Sequence, residues 1–138
     1  LLLSHAKGMS VTFHRAFDHC RNPRQALDDL MTLGFDRVLT SGQKPTAFEG
    51  IPLLCELQRR AGGRIKIMAG CGVNEQNIAC IHKETGITNF HFSAREPIHS
   101  QMKYVNPDVY MGSKDADETT IMVTTKRRVE DIIQALLD

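Results

Sequence analysis

Residues 11–34 read VTFHRAFDHCRNPRQALDDLMTLG, and the fold assignment starts from this stretch. The short apolar and β-branched run at residues 11–13 predicts a strand. Asn22 and Pro23 are typical of a helix start, because a capping side chain precedes a proline at the first helical position. Gly34 is typical of a helix end. A strand followed by a helix is the repeating unit of parallel α/β folds.

The same alternation continues along the chain, with strands predicted at residues 37–41, 65–69 and 89–93. Two closures of such a parallel sheet remain open, a doubly wound open sheet and part of a (β/α)8 barrel. A whole barrel needs about 250 residues, so half a barrel with a truncated start is the expectation for this chain of 138 residues. The predicted helix starts are the capping box Thr46-x-x-Glu49, the cap Asn74, and Thr124 or Thr125.

Three local expectations concern burial and the late part of the chain. Residues 94–122 contain prolines and no clean period, which predicts a long loop with one short strand near residues 109–111. Cys80 lies beside two isoleucines and is predicted to be buried. The last helix is predicted to bury one apolar face, made of Val129, Ile132, Ile133 and Leu136.

The charge composition argues against two classes of binding partner. The chain has 17 Lys and Arg against 16 Asp and Glu, a formal net charge of +1. This balance argues against non-specific nucleic-acid binding and against a polybasic membrane contact, so neither partner is expected. No apolar run is long enough to span a bilayer. Without a signal peptide or a C-x-x-C motif, the four cysteines are expected to be free thiols in a reduced compartment.

Polar residues stand where the predicted strands end, which is where both closures place their functional sites. Strand alternation puts five polar side chains on the inner surface of the sheet. A polar inner surface at strand ends is typical of a ligand cavity rather than a packing core. These five residues are His14, Ser41, Lys66, His91 and Ser93.

Each of these strand ends admits a structural and a functional interpretation. Arg15 and Asp18 form either a simple ion pair or an anion clamp in which Asp18 orients Arg15. The turn Gly70-Cys71-Gly72 is either a tight turn or a close backbone approach to an anionic ligand. For a metal, the thiol of Cys71 with the imidazole of His91 or His14 would suit Cu(I) or Zn²⁺.

Five stretches of the chain match one family in order: VTFHRAFD (11–18), RVLTSG (37–42), IMAGCGV (67–73), FHFSA (90–94) and MKYVNPDVYMG (102–112). Together they resemble the CutC family of copper homeostasis proteins. The resemblance implies a (β/α)8 barrel, of which residues 1–138 would form a single partial domain with roughly strands 4 to 7 and the C-terminal helix, the N-terminal half being absent. It also implies copper binding, a cytoplasmic or alternatively nuclear location, homo-oligomers when full length, and no settled enzymatic activity.

Two functional hypotheses follow. In the first, the protein binds copper for intracellular storage or trafficking, with His14, Cys71 and His91 as candidate Cu(I) ligands. In the second, it is a barrel enzyme acting on a small anionic substrate, with His14 or His91 as general acid or base. The candidate binding residues for that anion are Arg15, Asp18, Ser41, Gly70, Gly72 and Ser93.

The predicted strands at residues 11–13 and 89–93 lie at the two edges of the sheet. An unpaired edge strand is a template for pairing with another chain. We therefore expect this chain by itself to aggregate or to associate with a second polypeptide.

Overall fold

A computed structural model describes residues 2–106, 108–109, 112 and 117–137. Its central element is a parallel sheet of four strands in the order β1-β2-β3-β4, so β1 and β4 are its edge strands as predicted. The α/β prediction of parallel strands alternating with helices is confirmed. The strands are β1 (Thr12–Phe13), β2 (Arg37–Thr40), β3 (Lys66–Gly70) and β4 (Asn89–His91).

Helices connect the strands and cover one face of the sheet. Leu27, Leu54 and Leu57 from these helices are buried in one core with Val38 and Ile67 of the strands. No helix among the described ranges is long and apolar enough to cross a membrane. The helices are α1 (Leu2–His5), a 3-10 helix (Arg15–His19), α2 (Pro23–Leu33), α3 (Ile51–Ala61), α4 (Ile78–Thr85) and α5 (Lys126–Leu137).

The predicted boundaries of α2 are confirmed in atomic detail. The side chain of Asn22 accepts hydrogen bonds from the backbone N–H groups of Arg24 and Gln25, and Pro23 opens the helix. Gly34 ends it in the left-handed conformation, with φ of 79°. These contacts satisfy N–H groups that a helix start leaves without partners.

Helices α3 and α4 begin later than their predicted caps. The Thr46 hydroxyl donates to the Glu49 carboxylate and accepts from the Glu49 N–H, but this pair closes a turn before α3 starts at Ile51. Asn74 likewise accepts from the backbone N–H of Gln76 in a turn before α4. The side chains of Thr46 and Asn74 thus cap turns in the connections, and the prediction that they open α3 and α4 is wrong.

Residues 94–122 are not a plain loop, and that prediction is wrong in part. Strands β5 (Arg95–His99) and β6 (Thr120–Thr124) pair antiparallel in a separate two-stranded sheet. Most of their side chains are exposed, so no apolar alternation marks them in the sequence. Of the predicted strand at residues 109–111, Tyr110 and Met111 lie outside the described residues.

Two burial predictions are also corrected. Ile78 lies on the side of α4 that packs on the sheet. Cys80 lies on the outer side of the helix and is therefore exposed. On α5, Ile132 is buried, but Ile133 is 48% exposed. The predicted apolar face of α5 is therefore narrower than the pattern suggests. All four cysteines are free thiols, as expected.

The connection after β2 depends on two glycines in backbone contact. A Cβ at Gly50 would overlap the carbonyl group of Ser41, and a Cβ at Gly42 would overlap the backbone of Gly50. The start of α3 is thereby held against the end of β2, where a side chain would force the two segments apart.

We expect Gly50→Ala to lower the free energy of unfolding by about 2 kcal/mol or more, since overpacking against backbone has no flexible atom to yield. Urea unfolding measures the loss. Gly112→Ala is the matched control, because no atom of the described residues lies within 4 Å of its Cβ position. Equal stability of the two variants would contradict the close backbone packing at Gly50.

Candidate functional site

The candidate site lies at the carboxyl ends of the strands and is organised by the 3-10 helix Arg15–His19. In a 3-10 helix, side chains three residues apart lie above one another. Arg15 and Asp18 therefore point the same way, and the buried ring of Phe17 anchors the helix to the core. The local sequence thus brings a cation and a carboxylate together at the end of β1.

Asp18 is the centre of this network, and only 5% of its side chain is exposed. Its carboxylate accepts hydrogen bonds from the Thr40 hydroxyl at 2.5 Å and from the backbone N–H groups of Ser41 and Gln43 at 3.1 Å. It also accepts from Nε of Arg15 at 2.8 Å. One carboxylate therefore fixes the loop that follows β2 to the loop that follows β1.

The Arg15 side chain is hydrogen-bonded to its neighbours and is still partly exposed to solvent. Its Nη2 donates to the Ser41 hydroxyl at 2.9 Å, while 42% of its side chain stays exposed. The Ser41 hydroxyl lies within hydrogen-bond distance of two acceptors, the carbonyl oxygen of Lys44 at 2.6 Å and the Asp18 carboxylate at 3.1 Å. Arg15 and Asp18 thus form the ion pair predicted from the sequence, while the anion clamp stays a prediction.

The hydrogen bonds to Asp18 outweigh the cost of its burial. Burial alone would raise the pKa of this carboxyl, but the bonds from Thr40, Arg15, Ser41 and Gln43 lower its pKa below the ordinary value. The pKa of Arg15 is raised, first by its bond to Asp18, while burial opposes the rise and the nearby Cys71 adds to it. Both groups are therefore held in their charged forms.

Backbone strain marks the ends of three strands. Gln43, Cys71 and Ala94 have positive φ values of 57°, 81° and 46°, and each follows a different strand of the central sheet. Such conformations are costly for residues with a β-carbon and persist where surrounding contacts impose them. The contacts here include the bond from the Gln43 N–H to Asp18. Strain of this kind is concentrated at functional sites in proteins.

Cys71 and His91 line the same small cavity, of about 200 Å³, and Ser93 lines it with them. The Cys71 thiol donates to the carbonyl oxygen of Pro45 at 3.1 Å. His91 is the last residue of the edge strand β4 and is exposed. The structure therefore brings together one thiol and one imidazole of the predicted metal ligands.

His14 is not part of that cavity. Its Nδ1 accepts the backbone N–H of Ala16 at 3.0 Å, and its ring stacks on Phe13. It borders a separate apolar pocket beside the edge strand β1, at the opposite side of the sheet from His91. Within the described part of the chain, no group of three or more His, Cys, Asp or Glu residues could hold a metal ion.

The two glycines of the predicted anion-binding turn have packing roles. A Cβ at Gly70 would overlap the side chain of Leu39, and one at Gly72 would press on Thr46. The Gly72 carbonyl accepts from the side chain of Asn77 at 2.8 Å. Packing against a neighbouring strand and a neighbouring loop therefore explains why residues 70 and 72 are glycines.

Sequence reasoning missed Thr40 and Gln43. Alternation places Thr40 on the helix side of β2, and its hydroxyl nevertheless reaches Asp18 and accepts the N–H of Gly42. A threonine on the buried, helix side of β2 was a usable signal for a buried hydrogen bond. Nothing in the sequence signals the left-handed conformation of Gln43.

Comparisons with known proteins identify the family of the chain. The model of the CutC family matches residues 1–96 of the chain. The chain belongs to the CutC family. A CutC family protein of Bacteroides thetaiotaomicron is 57% identical over 136 residues, which is 98% of this chain and 55% of that protein. One of Vibrio cholerae is 43% identical over 134 residues, which is 97% of this chain and 53% of that protein.

A solved structure extends the CutC comparison to the fold. The crystal structure of the putative copper homeostasis protein CutC from Streptococcus agalactiae matches with a TM-score of 0.62 and 35% sequence identity, covering 65% of this chain and 45% of that one. That fold is TIM-barrel-like, so the predicted partial barrel is confirmed over the doubly wound alternative. The chain spans about half the length of the curated CutC relatives it matches.

We expect Asp18→Asn to lower the free energy of unfolding at pH 7 by about 2 kcal/mol or more, because buried donors lose a charged acceptor. The folded pKa of Asp18 is lowered, so its stabilisation is complete above the ordinary carboxyl pKa of about 3.9 and is lost as pH falls through the folded value. The gap between wild type and variant should therefore narrow in acid.

Urea unfolding from pH 7 to pH 2.5 measures this gap. The exposed Asp29, which accepts a hydrogen bond from Gln25 on α2, gives the matched control Asp29→Asn. A gap for Asp18→Asn that stays constant over the whole range would contradict the assigned role of the carboxylate.

Proposed function

We propose that this protein takes part in copper homeostasis and that Cu(I) is its cargo. The observation that carries the proposal is the placement of Cys71 and His91 on one cavity at the carboxyl edge of the sheet. Membership of the CutC family supports it. The similarity to the S. agalactiae protein, itself described as a putative copper homeostasis protein, supports it further.

The donor chemistry fits Cu(I) better than other common metals. Thiolate is a soft donor that selects Cu(I), and imidazole also suits copper, so one of each is a suitable pair for Cu(I). Structural Zn²⁺ takes four ligands, and the described residues offer no set of three. In this proposal Cys71 exchanges its hydrogen bond to Pro45 for the metal, and His91 supplies the second donor from β4.

The proposal also covers the organisation and location of the protein. Residues 1–138 form one partial barrel domain corresponding to strands 4 to 7 and the final helix, and the whole barrel assembles with further copies. The protein works in the cytoplasm, where reduced thiols remain available for Cu(I). The four free cysteines are consistent with a reducing compartment.

We expect anaerobic titration with Cu(I), against a competing chromogenic chelator, to detect one tight site. Outer-shell partners alone are worth about 10- to 100-fold in metal affinity, so Cys71→Ser should weaken binding by more than about 100-fold. His91→Ala should weaken it in the same direction, because it removes the second donor.

Two variants serve as controls in this titration. Cys80→Ser removes an exposed thiol on α4, and His14→Ala removes the imidazole beside β1. Neither should change the affinity. Unaltered Cu(I) affinity in Cys71→Ser would overturn the donor pair, and a loss in His14→Ala would restore the three-ligand hypothesis.

A second candidate function is the binding or conversion of a small anionic molecule. The observation that favours it is the guanidinium of Arg15, which Asp18 and Ser41 fix from one side while 42% of the side chain stays exposed. A held guanidinium recognises carboxylate or phosphate through paired hydrogen bonds. His91, on the neighbouring cavity, is the candidate acid or base for such a substrate.

Inorganic phosphate is the probe for this candidate. We expect it to raise the melting temperature of the wild type with a concentration dependence that follows mass action. Phosphate should no longer raise the melting temperature of Arg15→Met, whatever that temperature is without phosphate. It should still raise the melting temperature of the control Arg21→Met. Cu(I) affinity should not fall in Arg15→Met, because the variant removes a positive charge close to Cys71. A phosphate shift that survives in Arg15→Met would exclude this anion site.

A further inference from the structure

Cys71 is the residue that the copper cavity and the Arg15 network have in common. It lines the cavity with His91, and the guanidinium of Arg15 lies close to its side chain. The loop after β2 holds both groups. Arg15 donates to the hydroxyl of Ser41 in this loop, and Cys71 donates to the carbonyl oxygen of Pro45. A Cu(I) ion bound by Cys71 is therefore the neighbour of a fixed cation.

The two protein donors leave a position on the metal open. Within the part of the chain that the structure describes, no third His, Cys, Asp or Glu joins Cys71 and His91 in a metal-binding group. In zinc enzymes, the position that the protein leaves open is taken by water or by substrate. Water suits hard ions, whereas thiolate selects Cu(I). The open position at this site therefore favours a sulfur donor from a second molecule.

The guanidinium of Arg15 indicates what else that molecule carries. Its Nε and Nη2 are bonded to Asp18 and Ser41, and these two bonds use two of the five N–H groups of a guanidinium. The side chain stays 42% exposed. A guanidinium pairs with a carboxylate through parallel hydrogen bonds. A ligand with both a thiolate and a carboxylate would engage the metal and the cation together.

The volume of the cavity limits the size of this ligand. The cavity measures about 200 Å³, which is less than the roughly 300–1,000 Å³ of sites that hold drug-sized molecules. A thiol-bearing acid with a few non-hydrogen atoms fits such a space, and a peptide of several residues does not. A simple anion without sulfur would pair with Arg15 but would leave the metal position open.

We propose that Cu(I) is bound at this site as a ternary complex with a small thiol-bearing carboxylate. The sulfur of this ligand joins Cys71 and His91 on the metal, and its carboxylate pairs with Arg15. The inference rests on the proposed copper function and adds to it the chemical class of the molecule that shares Cu(I) with the protein. Copper stays Cu(I) throughout. The two thiols release their protons to water on binding, so no oxidant or reductant is needed.

Anaerobic isothermal titration calorimetry of the Cu(I)-loaded chain tests this complex. The probe is β-mercaptopropionate, and its matched control is β-mercaptopropionamide, which keeps the thiol and lacks the charge. We expect the carboxylate probe to bind in a one-to-one ratio and at least about 10-fold more tightly than the amide, because hydrogen bonds between charged groups carry that weight. The copper content of the chain after gel filtration should stay unchanged.

Arg15→Met assigns the difference between the two probes to the guanidinium. This variant should bind the carboxylate probe no more tightly than the amide, because the cation is gone. The exposed Arg21, which follows the 3-10 helix, gives the matched control Arg21→Met. This control should discriminate the probes as the wild type does. If Arg15→Met fails to fold, because Asp18 loses its ion pair, the comparison of the two probes on the wild-type chain decides the question.

Copper loading measured before any probe is added distinguishes this inference from the proposed function. A chain that takes up no Cu(I), with or without the probe, overturns both. If the chain holds Cu(I), three results overturn the ternary complex alone. They are equal affinity for the two probes, discrimination by Arg15→Met equal to that of the wild type, and removal of the metal from the chain by β-mercaptopropionate.

Discussion

The carboxylate of Asp18 is the interaction on which the arrangement of the strand ends depends. It is nearly buried, and it gathers a guanidinium, a hydroxyl and two backbone N–H groups from two consecutive βα units. Because a buried charge is tolerated only when it is paired and hydrogen-bonded, all of these groups must be in place at once. The 3-10 helix after β1 and the loop after β2 therefore form as one unit.

That unit also links the two candidate chemistries. Asp18 holds Arg15, and the guanidinium of Arg15 lies close to the side chain of Cys71. Cys71 in turn binds Pro45 through its thiol and Ala47 through its carbonyl, both in the loop after β2. The loops after β1, β2 and β3 are thus joined by side-chain contacts rather than by the sheet alone.

The sequence predicts the sheet well because its signals are local and repeated. The cap at Asn22, the glycine at residue 34 and the buried alternation of β2 and β3 each have one physical meaning, and the structure agrees with all of them. The hairpin of β5 and β6 escapes prediction because its stability comes from backbone pairing, while its side chains remain mostly exposed.

The sequence predicts which residues belong to the candidate site, but it does not predict how they are placed relative to one another. Arg15, Asp18 and Ser41 are recognisable from their place after strands, and they do meet. The separation of His14 from Cys71 is set by the order of strands in the sheet, which spacing along the chain does not encode. The participation of Thr40 depends on a side chain that reaches around the end of its own strand.

At three strand ends, the residue present is not the one that its left-handed backbone conformation favours. At Gln43, Cys71 and Ala94, glycine would adopt the observed backbone more easily than the residue present. A glycine at Cys71 would relieve conformational strain and remove the thiol in a single step. A library selected only for thermal resistance would therefore drift toward glycine there, and the resulting proteins would fold well but lack the thiol proposed to bind Cu(I).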